Sequence, residues 1–137
     1  MGLALEMTRY HRIGSPTDPG RVLADRPLEC ALCHADRSVD WVVTQMERLW
    51  GKRFPREPLL KLYGDLDANV IGATLVRGLP HEQAAAMGAL TAAGQRADEL
   101  RPLLRHPYPI LRHFAKHAIE RITGRRLELD VDATSPD

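Results

Sequence analysis

Aromatic residues are scarce in this chain of 137: two Trp, three Tyr and two Phe make up 5%. Its core must therefore be built mainly from aliphatic side chains. Cysteine is scarcer still, with two in the whole sequence, which excludes a framework of several disulfides. An excess of charge of one sign is also missing. The formal net charge of +1 gives no field for nucleic acid or an anionic membrane surface, and basic residues cluster only at Lys52-Arg53 and Arg125-Arg126. No apolar run approaches the roughly 20 residues needed to span a bilayer. What is present is a hydrophobic content of 44% over a length suited to one domain.

Both cysteines stand in one five-residue stretch, Cys30-Ala31-Leu32-Cys33-His34. Two lone cysteines would fall at this spacing by chance on the order of one time in seventy. C-x-x-C-H is the pattern of covalent haem attachment: each thiol adds to one vinyl group of the porphyrin, and the adjacent histidine reaches the iron as an axial ligand. The spacing thus points to haem c held by Cys30 and Cys33, with His34 on the iron. Three other readings compete. A thiol–disulfide pair uses the same C-x-x-C, but no strand–helix pattern of the thioredoxin kind surrounds it. Zinc would find at most three ligands in Cys30, Cys33 and His34. Two ordinary buried cysteines are the plainest alternative.

The pattern divides the chain into an irregular segment 1–38, a helical region 39–126 and a flexible tail 127–137. Gly14 to Gly20 is a turn-rich loop. Asp36 or Ser38 can cap a helix whose apolar stripe is Val39, Val42, Val43, Met46, Leu49 and Trp50, closed by Gly51. Further helices are expected at about 57–63, 67–77, 81–93, 96–104 and 108–123. Asp67 starts the second of these, and Pro80 suits a first helical turn. The last has an apolar face of Ile110, Leu111, Phe114, Ala115, Ala118, Ile119 and Ile122. Leu59-Leu60-Lys61 to Gly78 and Leu103-Leu104-Arg105 to Gly124 form a faint repeat, of the period seen in stacked helical pairs.

Trp41 lies off the first stripe but near the motif, so contact with the porphyrin is expected of it, whereas Trp50 belongs on the core side. His113 and His117 are one helical turn apart and can clamp a metal, though a solvated helix face is the commoner outcome. His81 and Glu82 mark a helix start.

Together, Tyr10-His11-Arg12-Ile13-Gly14-Ser15-Pro16, the motif continued by Ala35-Asp36-Arg37-Ser38, Trp41, Trp50-Gly51 and Pro107-Tyr108-Pro109-Ile110-Leu111-Arg112 resemble the C-terminal region of multihaem c-type cytochromes that carry HEAT or tetratricopeptide-like helical repeats. The resemblance covers nearly all of residues 10–126. It implies an all-α fold, with a short irregular haem-binding segment followed by a HEAT-like array. It places His11, ahead of the proline loop, as the second histidine on the iron. It further implies an electron carrier rather than an enzyme, working outside the cytoplasmic membrane with redox partner proteins or other haem subunits. Members usually hold several motifs behind a signal peptide. Here there is one motif, and Met1 to Met7 has no basic start and is interrupted by Glu6. The expectation is therefore a piece or subunit of a larger exported system. The alternative expectation is a HEAT-like scaffold that binds other proteins without haem.

Overall fold

The structure is a computed structural model that describes Ser15 and residues 17–132. It is all-helical: α1 (Pro19–Val22), a first 3₁₀ turn (Glu29–Leu32), α2 (Val39–Trp50), α3 (Arg56–Tyr63), α4 (Val70–Arg77), α5 (Pro80–Ala93), a second 3₁₀ segment (Ala97–Arg105) and α6 (Pro109–Thr123). No β-strand occurs among the described residues. Extended pairing is confined to one antiparallel bridge, between Ser38 and Asn69.

Local chemistry sets most of the boundaries. The Ser38 side chain accepts the Trp41 N–H at 3.1 Å and so caps α2, and Gly51 ends that helix with φ 67°. Asp67 does not start α4. Its own N–H is taken by Asp65 Oδ1 at 2.9 Å, and the cap is Asn69, whose Oδ1 accepts the Gly72 N–H at 2.8 Å. The helix expected over 96–104 is a 3₁₀ segment with Pro102 inside it. Proline has no N–H to give to an α-helical ladder, and a 3₁₀ segment tolerates the gap. Gly78 closes α4 where space is short, since a Cβ there would lie 2.5 Å from the Thr74 carbonyl oxygen.

α3 packs on α4 and α4 on α5, α6 packs on both α5 and the second 3₁₀ segment, and the first 3₁₀ turn packs on α4 and α5. One continuous core results. Leu28, Ala31 and Ala35 belong to the same cluster as Val39, Val43, Ile71, Met87, Leu90 and Ile119, so the core runs through the expected boundary at 38–39. The faint repeat falls on α3–α4 and on the second 3₁₀ segment with α6, so the first element differs between the two copies.

Three sequence expectations are corrected here. Trp50 and Leu49 are 49% and 63% exposed, because α2 outruns the core at its last turn. The buried aromatic at that end is Phe54, whose N–H is held by Glu47 at 2.8 Å. Ile110 is also half exposed, in the first turn of α6. Residues 127–132 lie on α6 rather than loose: Leu127 N–H donates to Glu120 at 2.8 Å, Arg112 Nε donates to the Val131 carbonyl at 2.8 Å, and Val131 is buried. Residues 133–137 lie outside the described residues.

Candidate functional site

The C-x-x-C-H stretch forms a tight turn on the surface of the helical body. The Leu28 carbonyl accepts the Ala31 N–H at 3.0 Å. The Cys30 carbonyl accepts both the Cys33 N–H at 3.3 Å and the His34 N–H at 3.0 Å. Cys30, Cys33 and His34 therefore sit at i, i+3 and i+4 of one helical turn, the spacing that puts three side chains on one face. The opposite side is anchored, since Ala31 is fully buried and Ala35 nearly so. Cys30 is half-buried, Cys33 is exposed, and both thiols are free. His34 is exposed, and its ring has no hydrogen-bond partner among the described residues.

Burial, then the charges of Glu29 and Cys33, push the Cys30 thiol above its ordinary value, against a smaller opposing effect of a backbone hydrogen bond. Reactive thiolates arise from the reverse environment, electropositive and stabilising to the anion. The Cys30 surroundings therefore keep it a thiol.

The first turn of α2 brings Trp41 alongside. Its ring centroid is 5.7 Å from that of His34, tilted by 52°, and the Arg37 guanidinium lies 4.4 Å from the centre of the Trp41 ring, a cation–π distance. Four of the five expected site residues, Cys30, Cys33, His34 and Trp41, are thus neighbours. His11 lies outside the described residues.

Two supports of this turn carried no local sequence signal as such. The carbonyl of Ala35, directly after His34, accepts Asn69 Nδ2 at 2.9 Å and also an Arg96 guanidinium N–H. Arg96 Nη2 donates in turn to Asn69 Oδ1 at 2.7 Å, and its Nε pairs with Glu99. Ahead of the motif, Arg26 is fastened to Glu82 of α5. Its N–H donates at 2.8 Å and its Nε at 3.0 Å, while Nη1 reaches the Leu62 carbonyl at 2.9 Å. Asn69 stands before an apolar run, and Glu82 falls in the first turn after Pro80. Both placements could be read as helix starts, but neither reveals the distant partner.

The other expected histidines are elsewhere. His113 is exposed and hydrogen-bonded through Nε2 to Asp132 at 2.8 Å, and His117 is half-buried. Among the described residues no three His, Cys, Asp or Glu side chains gather as a metal would require. Nor is any described helix long and apolar enough to cross a membrane. No protein-family model, no curated protein and no solved structure matches this chain.

Proposed function

We propose that this chain is a c-type cytochrome-like electron carrier with one covalently attached haem, working with redox partner proteins or further haem subunits. The observation that carries the reading is the shared face of Cys30, Cys33 and His34: two free thiols and an exposed imidazole without a hydrogen-bond partner among the described residues, on one turn whose back is packed into the core. This donor set fits the group. Cys30 and Cys33 would hold it through thioethers, each S–H adding across a vinyl double bond with sulfur on one carbon and hydrogen on the other, which needs no oxidant or reductant. His34 and His11 would supply imidazole nitrogens to the iron. Haem, when bound, provides an iron that cycles between ferric and ferrous. The protein's part is to hold the ligands and to present Trp41 and the apolar turn beside them. The raised Cys30 thiol weighs against the dithiol redox alternative, which depends on a stabilised thiolate.

A pyridine haemochrome spectrum tests this on protein exported together with the haem-attachment machinery. A covalent c-type spectrum, lost in Cys30→Ala/Cys33→Ala, is the expected result. A colourless but folded helical protein overturns it. The second reading is then a helical scaffold for other proteins, favoured by the solvent-facing apolar side chains of Val76 and Leu49, 83% and 63% exposed.

A further inference from the structure

His34 is held by hydrogen bonds at its own N–H and at the residue that follows it. Its own N–H is taken by the Cys30 carbonyl at 3.0 Å. On its other side, the Ala35 carbonyl has donors from two separate elements, Asn69 at the cap of α4 and Arg96 ahead of the second 3₁₀ segment. A carbonyl oxygen has two lone pairs, so this one is saturated. Ala35 is itself buried, and both bonds are partly so.

The cost of assembling this cluster shows how firmly it is imposed. Arg96 adopts φ 61°, and it is the one non-glycine residue with positive φ among the described residues. Such a conformation is strained for a residue that carries a Cβ and persists where surrounding contacts enforce it. Here the enforcing contacts are Ala35, Asn69 and Glu99. Asn69 is tied to the site by a second route as well. Its backbone bridges Ser38, which caps the helix turn carrying Trp41, and Trp41 lies against the His34 ring.

We propose that Arg96 and Asn69 are positioning residues for the His34 ligand, acting through the carbonyl of Ala35 to lock the attachment turn to the helical body. This rests on the haem-attachment reading. The fork of the arginine is what the cluster uses: one side chain bonds Ala35, Asn69 and Glu99 together, which a lysine ammonium cannot reproduce in the same geometry.

The test uses the full chain with two informative substitutions. Arg96→Gly removes the guanidinium while suiting the positive φ, so the fold is spared. Asn69→Asp keeps an oxygen that caps α4 and replaces the N–H donor to Ala35 with a carboxylate oxygen that cannot donate. In the haem-free protein, amide exchange at His34 and Arg37 should rise about tenfold or more in either variant, while the core amides of α6 change little, since local opening is distinct from global unfolding. In the haem-loaded protein the hyperfine-shifted haem methyl and His34 resonances should move, and Arg96→Lys should restore them only in part. A protein that loads haem but shows unchanged exchange and unchanged resonances in both variants overturns the positioning role. A uniform rise in exchange across α6 also overturns it, by reducing the cluster to general stability. A wild type that never binds haem instead removes the reading on which the role rests, and is recognised before any variant is made.

Discussion

Arg26 and Glu82, 56 residues apart, are joined by two hydrogen bonds, from the Arg26 N–H and from its Nε, one to each carboxylate oxygen. Glu82 Oε1 also accepts the Leu79 N–H at 2.8 Å, so a single carboxylate starts α5 and holds the chain just ahead of the C-x-x-C-H turn. Glu82 is 3% exposed. Removing one partner of a buried pair leaves the other charge uncompensated, which costs about 3–5 kcal/mol. Glu82→Ala should lower the urea midpoint by that equivalent and expose Cys30 to alkylation. A midpoint within error of wild type would show that the pair contributes nothing net.

Acid should weaken the fold through Glu47. Arg56 donates to both its oxygens at 2.8 and 2.9 Å, and the Phe54 N–H adds a third bond. The Arg56 hydrogen bonds are the largest influence holding the Glu47 carboxyl down at about 2, against 4.5 for the free group. Below 4.5 the unfolded chain takes up a proton that the folded chain refuses. The stabilisation is therefore complete above about pH 5 and lost as pH falls toward 2. Arg56 is one-third exposed, so solvent screening limits the effect to about 1 kcal/mol. Glu47→Gln should flatten the stability profile over that interval, and identical slopes for the two proteins would refute the assignment.

A second pH dependence belongs to His106. Its Nδ1 accepts the Tyr108 N–H at 3.0 Å, which places the ring proton on Nε2, facing Gln83 Oε1 at 2.8 Å. Burial, and then the charge of Arg112, lower its pKa from 6.5. The folded state resists protonation where the unfolded state accepts it, so stability is full above 6.5 and declines as pH drops below that value. Chemical denaturation at pH 7.5 and 5.5 should show a difference that shrinks in His106→Asn. Equal losses in both proteins would assign the decline to other groups.

The two cysteines should differ in reactivity. Cys33 is exposed, whereas Cys30 is half-buried with its thiol pushed upward. Since the thiolate is the nucleophile, iodoacetamide at neutral pH should label Cys33 first and Cys30 slowly, as read by peptide mass spectrometry. Equal labelling rates would mean that the turn opens faster than the reagent reacts.

The helices were legible where one face repeats at 3.6 residues, as with Val39, Val42, Val43 and Met46, and the site turn was legible because its chemistry is local. Where a helix outlasts the core was not legible. Trp50 and Ile110 continue their stripes by sequence yet stand at helix ends beyond the packed layer. The bonds that locate the turn were equally hidden, because Arg96 and Ala35 are 61 residues apart and meet only once α4 and α5 are in place. A cap is a short-range pattern; a guanidinium crossing to a distant carbonyl leaves no periodic trace.

The bridge at Ser38 and Asn69 is reciprocal: the Val39 N–H donates to the Ala68 carbonyl at 2.9 Å, and the Val70 N–H to the Arg37 carbonyl at 3.1 Å. The chain thus leaves for α2 and returns from α3 through one closed mouth. Everything between is an excursion whose ends are already joined, although its far tip reaches back across that mouth, Lys52 Nζ donating to Thr17 Oγ1 at 3.1 Å. The Cys30 to His34 turn sits on the other side of that mouth yet shares its core with the excursion, and Arg26 ties it to the Leu62 carbonyl, so the two sides move as one body.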